Sequence, residues 1–217
     1  MADSNPRIEK IAQFVRARLD NLYRERTDRE ELDRYLSHAD YRWQHTLRVA
    51  QYGKLIAEAE GADVELVVAA CLLHDVAWFD PMDNDRDHGR VGSDLARPFL
   101  KEIGYSNEQV ETICHSIAVH VDVENPDGLE AKAVTDADNI DRFGPYRILQ
   151  WCFSDIDDYA RLTDKLRERI QRLEGYHRDN PLTTPTGRKL FAEQLDMQLA
   201  FFKAFVGEHE VSIMPRI

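Results

Sequence analysis

The chain has 217 residues, of which 43% are apolar and 31% charged. That length buries a full core without a metal or disulfide staple, so one domain over residues 1–217 is expected. With 28 Lys and Arg against 40 Asp and Glu the net charge is −12, which opposes broad binding to nucleic acid or to an anionic membrane surface.

The periodicity is helical nearly throughout. Ile8, Ile11, Val15, Leu19 and Leu22 recur at steps of three and four after Asn5-Pro6, which reads as a capped amphipathic helix. A short helix is expected over 28–36, and a longer one from Asp40 to Glu60 ending at Gly61. Asp63 then caps a strongly apolar helix that runs through Leu73 into His74-Asp75. Residues 79–87, with a proline and four aspartates, read as a solvated loop that lids the neighbouring chemistry. The next helix runs to Gly104 across Pro98. Ser106 and Gln109 form a capping-box pattern before the helix of Val110, Ile113 and Ile117. A helix is expected over 129–143, stopped by Gly144-Pro145. Two long helices finish the chain, with stripes at Ile156, Tyr159, Leu162, Leu166, Ile170 and Leu173, and at Phe191, Leu195, Leu199, Phe202 and Val206. No period-two run supports a strand, and the expectation is an all-α fold.

The opening residues MADSNPRIEK lack the basic-then-apolar layout of a secretion signal, and the longest apolar run, 66–73, is far short of a membrane span. Cys71, Cys114 and Cys152 form no CxxC pair. They read as inert buried thiols in a reducing, cytoplasmic compartment.

Five of the eight histidines (His45, His74, His88, His115, His120) fall within one stretch of the chain. His74-Asp75 follows LVVAACLL directly, and a helix apolar on all sides is a buried one. An ionised Asp at such a depth calls for a counter-charge, and a bound cation is one solution. A buried His–Asp hydrogen bond without metal satisfies the dipeptide equally well. His45 on the preceding helix, and Asp136, Asp138 and Asp141 later, widen the set toward mixed N/O coordination. On a helix Asp138 and Asp141 share a face, while Asp136 points about 160° away from Asp138. His115 and His120 diverge by about 140° on a straight helix, so both cannot point fully at one metal.

HTLRVA, CLLHDVA, ICHSIAVH and DADNID, in that order, resemble the HD superfamily of metal-dependent phosphohydrolases over about half the chain. The resemblance implies a helical core at about 40–150 with extra N- and C-terminal helices. Helices over 155–210 would pack on that core or form a homodimer face. It implies metal ligands His45, His74, Asp75 and Asp138, the last because Ala137-Asp138-Asn139-Ile140 matches the family's Ala-Asp-x-Leu-like context. Asp136 is the alternative, and Asp141 would orient the site. His88, with His115 or His120, would hold a second metal or contact phosphate. The catalytic groups would then be Asp75, His115 and His120.

The implied cofactor is one or two divalent ions (Mn, Fe, Mg, Ni, Co or Zn). The implied partner is a small phosphorylated molecule, without nucleic acid or membrane. The implied reaction is hydrolysis of a phosphomonoester or phosphoanhydride by metal-activated water, with Arg48, Arg90 or Arg142 meeting the phosphate. The chain departs from better-defined subgroups: Val76-Ala77-Trp78-Phe79 supplies no Glu or Lys after the His-Asp pair, and no GYP signature is present. Two further readings fit the same histidine-rich set: a di-iron oxygenase on this fold, and a metal-binding signalling module without turnover.

Overall fold

Asn5 and Pro6 begin the first helix, α1 (Pro6–Glu25). Asn5 Oδ1 accepts from the backbone N–H of Arg7 at 2.9 Å, and Pro6 has no N–H to leave unpaired. Ile11, Val15 and Leu19 of its stripe are buried. The computed structural model describes residues 5–25, 39–82, 84, 87–122, 126–153 and 155–212, so the helix expected over 28–36 lies outside the described residues.

The chain continues through α2 (Ala39–Glu60), α3 (Val64–Leu73), α4 (His88–Glu102), α5 (Asn107–Val119) and α6 (Leu129–Asp141), then α7 (Pro145–Phe153), α8 (Tyr159–Arg178) and α9 (Pro185–Ser212). Among the described residues there is no strand; the fold is all-α. None of the described helices is long and apolar enough to cross a membrane. Local chemistry sets several boundaries where the pattern puts them. α2 stops at Gly61, whose φ of 80° is open to glycine. Asp63 accepts from the Leu66 N–H at 3.1 Å. Ser106 and Gln109 make both bonds of a capping box at the start of α5.

α3 decides the arrangement. It is apolar all round, so burial on every side is its stable placement, and α1, α2, α5 and α6 pack about it. Val67, Ala69, Ala70, Cys71 and Leu73 lose all contact with solvent. The chain therefore leaves α3 inside the molecule, and His74 and Asp75 are buried because their helix is. Truncating Leu73 to Ala would cost about 2–5 kcal/mol by the cavity it leaves.

Two glycines mark close approaches. A Cβ on Gly89 would lie 2.8 Å from the Ala118 carbonyl oxygen and 2.9 Å from that of Ile117, so only glycine lets the first turn of α4 meet the end of α5. A Cβ on Gly187 would lie 2.4 Å from Asp136 Oδ2, where α9 begins against α6.

The C-terminal helices pack on the core: α9 touches α2, α6, α7 and α8, burying Phe191, Leu195, Phe202 and Val206. Three expectations need correction here. Pro145 opens a helix of its own, α7, at the position where proline costs nothing. α6 ends at Asp141 rather than at 143. Ile156 and Tyr159 are 46% and 54% exposed, lying before and at the first residue of α8 rather than on its buried stripe. Cys71 and Cys114 are buried and Cys152 half-buried; all three are free thiols.

Candidate metal centre

Five elements deliver side chains to one buried space. α2 brings Arg42 and His45, the turn after α3 brings His74 and Asp75, α4 begins at His88, His120 follows the last residue of α5, and α6 brings Asp138 and Asp141. His45, His74, Asp75, His88, His120, Asp138 and Asp141 are all buried.

The tautomers follow from the partners. His74 Nδ1 lies 2.7 Å from the Cys71 carbonyl and His120 Nδ1 lies 2.7 Å from the Ile117 carbonyl. A carbonyl only accepts, so both rings carry their proton on Nδ1. His45 Nδ1 meets Asp141 Oδ2 at 2.7 Å, with the same consequence. Three Nε2 lone pairs then face inward among carboxylate oxygens. His45 Nε2 is 3.2 Å from His74 Nε2, 3.3 Å from Asp138 Oδ1 and 3.5 Å from Asp75 Oδ2. His74 Nε2 is 3.4 Å from Asp75 Oδ2 and 3.9 Å from Asp138 Oδ1. His120 Nε2 is 3.0 Å from His88 Nε2, which is 3.4 Å from Asp75 Oδ1.

Acceptors do not hydrogen-bond acceptors, so most of these approaches need a positive charge between them. Two donors bound to one cation at about 2.1 Å stand about 3.0 Å apart in octahedral and 3.4 Å in tetrahedral geometry, which matches the spacings here. Two sets of three donors lie within 4.8 Å of one another: His45, His74 and Asp138; and His74, Asp75 and His120. These residues fit a divalent ion.

A proton takes part of that role when no cation is bound. Burial disfavours charging His74, but Asp75 and Asp138 outweigh it and raise its pKa to about 9. Burial opposes the ionised form of Asp75 as well, yet His74 and Arg42 hold it well below the usual carboxylate range. Asp138 is likewise held low against burial by His45 and Arg142. His120 moves the other way, pushed down to about 4 by burial and the neighbouring His74, so it stays neutral at physiological pH.

Other residues hold these in place. Arg42 Nη1 donates to Asp75 Oδ2 at 2.5 Å while its guanidinium lies 3.7 Å above the Trp78 ring. Arg48 donates to both oxygens of Asp141, at 2.6 and 3.1 Å, and stacks on Tyr146 at 3.9 Å. Arg48 thus orients His45 through Asp141, and its donors on that side are engaged rather than open to a phosphate. Arg42 was not singled out in the sequence, although it lies three residues before His45 and so shares its helix face.

The structure separates the alternatives the spacing left open. Asp138 faces the cluster. Asp136 turns to α9, where it accepts from the Thr183 and Thr184 N–H groups at 3.0 and 2.8 Å and from Thr184 Oγ1 at 2.6 Å. His120 faces inward. His115, expected as a catalytic alternative, is exposed with Nε2 on the Asp127 carbonyl at 3.1 Å, because the other side of α5 carries the contacts to the core. Arg90 is also outside the cluster: its side chain is 66% exposed and reaches Asp87 at 3.9 Å. Arg142, half-exposed, has Nη1 3.7 Å from Asp138 Oδ2 at the edge of the centre. The aspartate loop is described only in part, since residues 83, 85 and 86 lie outside the described residues.

The fold is all-helical around a buried His/Asp cluster that could hold a divalent ion. Residues 42–142, just under half of the chain, match the HD domain family. It is 33% identical over 101 residues to Ribonuclease Y of Sulfurovum sp., covering 46% of this chain and 18% of that protein; the chain thus spans under a fifth of that curated relative's length. An HD-superfamily hydrolase from Bacillus thuringiensis has the same fold, with a TM-score of 0.65 at 18% identity over 94% of this chain and 98% of the other. Bacillus subtilis YpgQ in complex with ADP gives a TM-score of 0.52 at 24% identity over 80% and 90%. At these identities the likeness to the solved structures is one of fold.

Proposed function

We propose that the chain is a divalent-metal-dependent phosphohydrolase acting on a phosphate ester or phosphoanhydride of a nucleotide or small phosphorylated metabolite. The observation that carries this reading is the convergence of His45, His74 and His120 Nε2 lone pairs with Asp75 and Asp138 in one buried space. The match of residues 42–142 to the HD domain family supports it, as does the ADP held by the structurally similar YpgQ.

The ligands are His45, His74, Asp75 and Asp138, with His88 and His120 beside Asp75 on the far side. A divalent ion, when bound there, neutralises phosphate charge and lowers the pKa of water. The chain's own residues do the rest. Arg42 and Trp78 hold Asp75 in orientation, and Asp141 with Arg48 fixes the His45 ring. His120, with Nδ1 on the Ile117 carbonyl and Nε2 facing the cluster 3.0 Å from His88 Nε2, is placed with His88 to take a proton from the attacking water. Arg142 at the rim meets the phosphate oxygens.

The test is purification without added metal, metal analysis, and a hydrolysis panel of aryl phosphate, nucleotides and a short oligoribonucleotide with Mn, Mg, Fe, Co, Ni and Zn. Metal-dependent phosphate release that disappears in Asp75→Ala supports the reading. Cleavage confined to the oligoribonucleotide would favour a second reading, suggested by the Ribonuclease Y relatives, in which the substrate is an RNA phosphodiester. Two bound irons with substrate-dependent O₂ consumption would overturn hydrolysis in favour of an oxygenase. A metal-loaded but inert protein would favour a signalling module.

A further inference from the structure

Next to the centre lies a group of charges of one sign. α6 is followed by Arg142, α7 carries Arg147, and α8 carries Arg169 and Arg172. Arg147 Nε donates to the Arg142 carbonyl at 3.1 Å, tying the start of α7 to the end of α6. Arg169 is 8% exposed. Its guanidinium lies 4.8 Å from the Phe143 ring centre and 5.3 Å from that of Trp151. Its Nη2 reaches Gln198 Oε1 only at 3.5 Å, and its Nε is buried without a hydrogen-bond partner.

Arg147 and Arg169 have no carboxylate in salt-bridge reach among the described residues; the nearest acid to the group, Asp138, is shared with the metal centre through Arg142. The chain has 40 acidic residues to offer, so the lack of a partner is not a matter of supply. A buried cation without a counter-charge is costly. The strain shows in both groups. Burial, then Arg147 and Arg172, lower Arg169 to about 10. Burial, then Arg142 and Arg42, lower Arg147 against the pull of Tyr41 and Asp138. Both stay protonated at neutral pH, so the repulsion is permanent until an anion enters. Guanidinium forks suit phosphate oxygens in particular.

We propose that Arg142, Arg147 and Arg169 form an anion site beside the metal centre that takes the non-reacting phosphates of a phosphoanhydride substrate. A monoester has one phosphate, which the metal centre would occupy, leaving Arg147 and Arg169 without a partner acid. A di- or triphosphate chain fills both places at once. Assignment of the ligand as a substrate rests on the phosphohydrolase reading; binding of the anion does not.

The experiment is calorimetric titration of the metal-free protein with inorganic phosphate, pyrophosphate and tripolyphosphate. Tripolyphosphate is expected to bind roughly tenfold or more tightly than phosphate, and Arg147→Gln and Arg169→Gln each to weaken it by about tenfold. Manganese uptake by both variants should match the wild type, which separates this site from the metal ligands. Arg147 is half-buried, so its variant carries the test if Arg169→Gln does not fold. Equal affinity for phosphate and tripolyphosphate, or unchanged tripolyphosphate binding by Arg147→Gln, would overturn the proposal. Intact, arginine-dependent tripolyphosphate binding with an inert hydrolysis panel would uphold the anion site while removing the hydrolase reading. An active enzyme whose arginine variants bind tripolyphosphate normally would do the reverse.

Discussion

Asp75 and Asp138 are 3% and 7% exposed, and Arg169 is 8% exposed, yet their surroundings differ in kind. Each aspartate meets both imidazole and guanidinium groups: His74 and Arg42 for Asp75, His45 and Arg142 for Asp138. Arg169 meets two aromatic rings, a distant amide and other arginines. Burial alone therefore does not distinguish the two regions. In the first, opposite charges and lone pairs surround a space of cation size. In the second, Arg147 and Arg169 stand among other arginines with no carboxylate in salt-bridge reach among the described residues.

The contrast can be broken most severely at His74. His74→Ala removes the donor common to both three-residue sets, and metal content and hydrolysis are expected to fall together, the latter by ~10³-fold or more; retention of full metal loading would mean that the lone pairs do not define the ion's place. Chelation should act on stability in the same direction. Removing an ion present at about 100 times its Kd takes away about 2.7 kcal/mol, or roughly 5–10 °C in Tm for a chain of this size. A calorimetric scan with and without chelator reads this directly. An unchanged Tm would show that the cluster is stable on protons alone.

Smaller effects sharpen the picture. Asp141→Asn leaves every inward donor in place but loosens the His45 ring and frees Arg48; metal affinity should drop about 10- to 100-fold, measured by competition with a chromophoric chelator. Gly187→Ala forces a methyl group against Asp136 and Thr184, and should destabilise the fold by about 1–3 kcal/mol in denaturant titrations. Manganese affinity of that variant should hold close to wild type if Asp136 serves α9 rather than the centre. Least of all, His115→Ala and Arg90→Ala should change turnover by no more than about twofold, as exposed substitutions away from special contacts do. A larger loss in either would return that side chain to the site.

Much of the fold was legible beforehand, since helix periodicity and caps are local. Asn5-Pro6, Asp63, and Ser106 with Gln109 act within a few residues of themselves, and the structure shows them at helix starts. α7 was missed because Gly144-Pro145 signals an end and a beginning in the same letters. The centre was partly legible for one reason: LVVAACLL has no polar face, so whatever follows it is buried. His74-Asp75 inherits that depth from composition alone. Arg42 was overlooked because an arginine on a half-exposed helix reads as surface until its partner is known, and that partner, Asp75, is 33 residues away.

By itself, then, the amino-acid order determined that the chain is helical, that α3 lies at the centre, and that Asp136 and Asp138, like His115 and His120, point in different directions. Helical geometry supplies the angle between two side chains on one element. It does not supply the zero of that angle. Only the packing of α6 between α2 and α9, and of α5 against α4 through Gly89, decided that Asp138 and His120 face the cluster while Asp136 serves Thr183 and Thr184 and His115 meets solvent. The acidic net charge was likewise a property of the list of residues. Where its negative groups are gathered around a cation-sized space, and where positive ones stand without them, are properties of the tertiary structure, because charge at short range depends on which helices touch.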